Sequence, residues 1–264
     1  MNWLWPTPKG TPPWPVVAGI VFVLGALALT APVVEVDPIR LLGSIGKMID
    51  FAGHLFVKPQ WSYVPDLLAK MLETIEMTVL ATFIATLMSF PLGVLAARNA
   101  SPNSLVFHAT RNLLSLIRAL PELVWALVFV SAVGLGPLPG IMALALVTVG
   151  FMAKFFAESI EVVDPKAVEG VAAHGAGWLQ LRWFALLPQA VPDFVGTIMY
   201  ILDHNLRAAA ILGLVGAGGI GYDMVMSMRL FEYDRLILIA FSIYLCVTLL
   251  DRASDKLRSR VIHG

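Results

Sequence analysis

DPKAVEGVAAHGAGWLQLRWFALLP, Asp164 to Pro188, is a polar-ended, helix-compatible segment set between two apolar spans. Asp164 can cap a helix N-terminus, and Pro165 suits the first helical position because its missing N–H would lack a partner there anyway. The spacing predicts a helix over about 165–175. It runs through Ala173 with Val168, Val171 and Ala172 on one side and stops near Gly175 or Gly177, where glycine accepts a left-handed conformation. Small residues leave a low surface that fits a cleft of another protein, whereas an ordinary amphipathic connector is the plainer reading. Trp178 to Leu187 suits a membrane interface, with its indoles at headgroup depth.

The rest of the chain is oily. Of 264 residues, 58% are hydrophobic and the mean hydropathy is +0.81, against about 45–50% apolar usage in soluble domains. This is the composition of an integral membrane protein. Eighteen basic residues balance eighteen acidic ones, so there is no basic footprint for nucleic acid. Cys246 is alone and the five histidines lack ligand spacing, so neither a disulfide nor a metal site is expected.

Six apolar stretches stand out: Val16–Val34, Ile75–Ala97, Leu113–Val133, Ile141–Phe156, Val191–Leu206 and Leu236–Leu250. The chain therefore reads as all-α, with about six transmembrane helices, some short against the usual ~20 residues. An even number puts both termini on one side. The basic tail (Arg252, Lys256, Arg258, Arg260) and the segment with Lys166 and Arg182 make that side cytoplasmic by the positive-inside rule. The stretch before Ala26-Leu27-Ala28 has some features of a signal peptide. The Trp- and Pro-rich start MNWLWPTPKGTPPWP argues for an uncleaved, interface-anchored tail. Leu41–Phe56 suits an interfacial helix.

Several charges fall inside the oil. Arg118 and Glu122 flank Pro121 in the third span and, four apart, share one face of a continuous helix. They line a pathway or gate, or form a structural pair beside a kink. In the fifth span Asp203 precedes Arg207 by a helical turn, with Asn205 between them. That pair is either self-satisfied or part of the pathway, and counting from Val191 puts Arg207 toward the external face. LGLVGAGGIG follows, with Gly213, Gly216, Gly218, Gly219 and Gly221. Its match to a dinucleotide fingerprint lacks the strand–turn–helix context, so a close helix approach or re-entrant turn is expected, with amides able to face an anion. No phosphate-binding loop for ATP and no catalytic constellation is visible, so this chain reads as neither an ATPase nor another enzyme.

Together, the 164–188 segment, RALPE in the third span and NLRAAAILGLVGAGGIG after the fifth resemble the permeases of phosphonate-type ATP-binding-cassette (ABC) importers. Glu169, Gly175, Leu187 and Pro188 keep the spacing of that family's cytoplasmic signature, while Gly170, Val171 and Ala185 replace its two alanines and its isoleucine. The resemblance implies a type I importer permease fold, with an N-terminal part over 1–72 and a permease core over 73–264. It implies an ATPase-coupling helix carrying Glu169, Ala172, Ala173 and Gly175, with Pro188 closing the segment. It also implies a homodimer in a bacterial cytoplasmic (inner) membrane, two cytoplasmic ATPase subunits that hold the ATP and Mg, and a periplasmic or lipid-anchored binding protein. The cargo is a small anion, a phosphonate first and phosphite or phosphate next, and this chain itself holds no cofactor. An ion-coupled secondary carrier is the rival reading.

Overall fold

The computed structural model of the protein describes residues 14–30, 38–55 and 58–263, and among them every regular element is helical. Expectations for the first thirteen residues and for 31–34 lie outside the described residues. The chain divides into two compact units at His54 and Leu55. The first holds α1 (Trp14–Thr30), apolar all round, and most of α2 (Pro38–Leu55), which is amphipathic.

The second unit holds the remaining helices: α3 (Val64–Ala96), α4 (Ser104–Arg118), α5 (Glu122–Val133), α6 (Pro137–Glu161), α7 (Pro165–Ala173), α8 (Trp178–Leu181), α9 (Leu187–Leu212), α10 (Gly219–Arg229) and α11 (Tyr233–His263). Among the described residues four apolar helical stretches are long enough to cross a membrane: Trp61–Ala96, Pro137–Glu161, Trp178–Val215 and Tyr233–Lys256. The bent pair α4–α5 makes a fifth, and α1 is a shorter apolar helix. Five of the six expected spans are thus accounted for, with shifted bounds and one of them broken, and the first coincides with the shorter α1.

At the centre lies α6, the most buried of the spans. At about 1.5 Å per residue its 25 residues reach roughly 37 Å, enough for a ~30 Å hydrocarbon layer. Its packing surface is small. Gly140, Ala143, Gly150, Ala153 and Ala157 let α3, α4 and α9 come close, and a Cβ at Gly93 of α3 would lie 2.7 Å from that of Phe156. Small faces of this kind suit helices whose association gains nothing from the hydrophobic effect in lipid.

Helix α3 begins eleven residues before the expected Ile75. Asp66, Lys70 and Glu73 dilute the hydropathy there, but the structure pairs two of these charges. Lys70 pairs with Glu73 at 2.7 Å, and the Tyr63 hydroxyl donates to Asp223 of α10 at 2.6 Å.

Candidate functional site

The local signals at 164–175 produce the helix they predict. Asp164 Oδ1 accepts from the Lys166 amide at 3.0 Å, Pro165 opens α7, and Gly175 takes φ +78° just after it. Nothing in α7 is fully buried: Val168 packs partly against the core, while Glu169, Ala172 and Ala173 are exposed. Ala172 therefore joins the outward surface and not the side with Val168 and Val171, which are half-buried.

Behind α7 the chain is pinned. The Gln180 side chain accepts from the Gly177 amide at 2.8 Å, opening α8, and one π-helical turn (Arg182–Leu186) leads into α9, with Pro188 in its first turn. Arg182 is buried; its Nε donates to Ala100 O and its Nη1 to Trp178 O, both at 2.7 Å, and its guanidinium lies 3.9 Å from the Trp178 ring. Ala100 belongs to the α3–α4 connection. That connection is bound in turn to the end of α6: the Arg98 amide and Arg111 Nη2 both donate to Glu161 Oε1, and Asn99 donates to Ile160 O. The segment behind α7 is thus joined to the α3–α4 connection and, through it, to α4 and the end of α6. Trp178 and Trp183 remain partly exposed.

The third span is where expectation and structure part. Helices α4 and α5 meet at 81°, so Arg118 ends one helix and Glu122 begins another. Pro121 causes the break: it is extended (φ −60°, ψ 152°), and a proline disfavours helical geometry in the residue before it. The Trp125 indole donates to Ile117 O at 3.1 Å, satisfying a carbonyl of the exposed α4 terminus. Arg118 and Glu122 form no ion pair, because their four-residue spacing acts on a continuous helix only.

Glu122 instead faces a half-open cleft of about 150 Å³ between α5, α6 and α9, with Thr148, Phe151, Tyr200, His204 and Asn205 on its walls. The cleft lies at mid-depth, since Thr148 adjoins Val149, the midpoint of α6. Asn205 is buried at its floor; its Oδ1 accepts from Thr148 Oγ1 at 3.0 Å and its Nδ2 donates to Thr82 Oγ1 at 2.9 Å, joining α9 to α6 and α3. Arg207 follows Asn205 by two residues. It is therefore also near mid-depth and not at the outer face, because the Thr148–Asn205 bond sets this part of α9 beside the midpoint of α6.

Along α9 and the turn after it the exposed stripe is Tyr200, His204, Arg207, Ile211 and Leu214, whereas Asp203 is buried beside it. Arg207 pairs with Asp203 and stands 3.9 Å from Asp251 of α11. Tyr200 and His204 were not among the expected pathway residues. Their spacing of four, followed by Arg207, was the available signal.

The glycine turn packs backbone on backbone. A Cβ at Gly221 would lie 1.8 Å from Ala210 O, one at Gly213 would lie 2.3 Å from the Gly221 carbonyl carbon, and Gly216, Gly218 and Gly219 have positive φ. The amides at the start of α10 do not face an anion from outside. Gly219 donates to Glu73 Oε1 at 3.0 Å and Ile220 to Thr74 Oγ1 at 2.8 Å, so a carboxylate of α3 already occupies that terminus.

Residues 89–263 match the family described as the binding-protein-dependent transport system inner membrane component. A phosphite transport system permease protein (PtxC) of Stutzerimonas stutzeri is 37% identical over 93% of this chain and 89% of its own length. A phosphate-import permease protein (PhnE) of Mycolicibacterium smegmatis is 41% identical over 75% of this chain and 37% of its own length. In fold, a chain of the MetNI methionine ABC transporter in an inward-facing conformation superposes with TM-score 0.65 over 74% of this chain and 95% of its own, at 22% identity. The chain belongs to the family of binding-protein-dependent transport system inner membrane components.

Proposed function

We propose that this chain is the membrane-spanning subunit of an ATP-driven importer that carries a small phosphorus oxyanion, a phosphonate, into the cell. The observation that carries the transport reading is α7, a capped, glycine-stopped helix that keeps Glu169, Ala172 and Ala173 exposed at the signature spacing. Each copy of α7 docks into one of two cytoplasmic ATPase subunits, which bind the ATP and Mg. Arg182 and the α3–α4 connection carry the docking motion to the core. The substrate class rests on relatives named for phosphite, phosphate and phosphonate transport, all tetrahedral phosphorus oxyanions.

A polar stripe with His204 and Arg207 at mid-depth is costly against lipid, which supports a second copy of this chain facing it across a pathway. Pro121 and Glu122 at the helix break, with Asp203, Asn205 and Arg207 on α9, border that pathway, and the glycine turn locks its outer end. A periplasmic or lipid-anchored binding protein delivers the substrate, and the pair alternates between outward- and inward-open states. The termini lie in the cytoplasm of a bacterium whose inner membrane holds the complex.

The test is uptake by proteoliposomes holding the permease, its ATPase and its binding protein, with methylphosphonate, phosphite, phosphate and an amino acid compared. ATP-dependent import of a phosphonate is the expected result. Preference for phosphite or phosphate corrects the substrate, import of the amino acid alone overturns the phosphorus reading, and uptake without the ATPase favours an ion-coupled carrier. Gly175→Asp should leave the complex assembled but cut uptake roughly tenfold or more, since the new side chain is strained at positive φ and charged at a packed interface.

A further inference from the structure

Arg118 packs directly on α6: a Cβ at Gly150 would lie 2.8 Å from its Cγ. Gly150 adjoins the midpoint of that helix, so the aliphatic stem of Arg118 lies at the middle of the membrane-spanning length of α6. Among the described residues Arg118 makes no ion pair. Its interactions there are a long hydrogen bond from Nε to Leu114 O, 3.3 Å, and the Phe151 ring at 5.6 Å. Of five N–H donors, the four on its terminal nitrogens have no protein acceptor among the described residues. A cation so placed, which the broken helix has parted from Glu122, calls for an anion.

The space beside it is suited to one. A cleft of about 220 Å³ is lined by Arg118, Lys154, Arg111 and Ser115 with apolar neighbours, and no carboxylate lines it. Lys154 and Arg111 are each held by a carboxylate, Glu158 at 3.5 Å and Glu161 at 2.9 Å, so Arg118 has the most donors to offer. Phe151 separates this cleft from the neighbouring one: its ring lies under Arg118 and also walls the space in front of Glu122 and His204. Ala96 and Ala157, near the ends of α3 and α6 that lead toward α7, put the cationic cleft on the coupling-helix side of Phe151.

We infer that Arg118, with Ser115 and Lys154, forms an inner binding station for a tetrahedral phosphorus oxyanion, occupied after the anion has passed Phe151. This rests on the phosphorus-oxyanion reading given above. The planar guanidinium offers two parallel N–H donors to two oxygens, Lys154 adds a point charge and Ser115 a hydroxyl donor. The neighbouring cleft carries the Glu122 carboxylate and suits a resting anion less well.

The experiment uses the whole complex in phospholipid-free maltoside micelles and follows its thermal unfolding against methylphosphonate or phosphite. The wild type should be stabilised saturably; Arg118→Met should raise the apparent dissociation constant about tenfold or more, and Arg118→Lys less, because it keeps the charge and loses the fork. An unchanged constant in Arg118→Met overturns the station. If that variant does not assemble, Arg118→Lys decides, and an unchanged constant there overturns it equally. Stabilisation by added phosphatidylglycerol but by no free oxyanion overturns it in favour of a lipid site. Failure of the wild type to import any phosphorus oxyanion would sink the substrate reading itself, which the uptake assay reports separately.

Discussion

Arg182 and Ala100 lie 82 positions apart in the chain, yet the Arg182 Nε donates to the Ala100 carbonyl at 2.7 Å. The same guanidinium reaches Trp178 O, so one buried side chain joins the segment behind α7 to the turn between α3 and α4. Charge-assisted bonds of this kind contribute about 1.5–3 kcal/mol each. Arg182→Met should therefore lower stability by roughly 2–4 kcal/mol and detach α7 motion from the core. The measurement is the ratio of solute imported to ATP hydrolysed, together with the thermal midpoint. A normal ratio with a lowered midpoint would leave Arg182 structural only, and normal values of both would remove it from coupling.

Asn205 joins three helices through two threonine hydroxyls. In lipid such bonds average only about 0.6 kcal/mol by double-mutant cycle and reach about 1.7 at most, since threonine can turn back to its own helix carbonyl. Asn205→Ala combined with Thr148→Val should give a coupling energy inside that range. A value above about 3 kcal/mol would show that the network holds the core together far more strongly than hydrogen-bond chemistry in membranes allows.

Glycine substitutions should separate by position. Gly221→Ala puts a methyl group 1.8 Å from Ala210 O, a backbone atom that cannot step aside, so α9 and α10 must part. Little assembled complex is expected on size exclusion. Gly170→Ala meets nothing within 4 Å on α7, where alanine gains about 0.4–1 kcal/mol from the unfolded chain's lower entropy. It should keep uptake at wild-type level, and a loss there with assembly intact would show the ATPase contact to exclude a methyl group at that position.

The pair Asp203–Arg207 is asymmetric: Asp203 is buried and one of its oxygens has no partner, whereas Arg207 is about half exposed and also approaches Asp251. Removing Arg207 strands a buried carboxylate. After discounting for that exposure, Arg207→Ala should cost about 1–3 kcal/mol, below the ~3–5 of a fully buried pair. Asp203→Asn should cost less, and the double variant should recover part of the loss. Unfolding curves of the three variants decide this. If uptake collapses in Arg207→Ala alone while stability stays near wild type, the arginine acts on the substrate and not on the fold.

What the sequence by itself determined is local. Asp164, Pro165 and Gly175 define α7 within one or two turns of chain, because caps and stops act over a few residues. The apolar runs likewise located the spans, since burial of backbone in lipid demands long oily helices. Where the relevant partner is far away in sequence, the tertiary structure decided. The apolar run from Ile75 did not reveal that α3 starts earlier, where Lys70, Glu73 and Thr74 meet one another and the start of α10, 146 positions on. Arg118 and Glu122 looked set on one helix face because helical spacing assumes an unbroken helix, and the 81° turn at Pro121 voids that assumption. The depth of Arg207 was misjudged from the edge of the oily run. It was set instead by the bond from Thr148 to Asn205, a packing contact between α6 and α9 that no periodicity within α9 encodes.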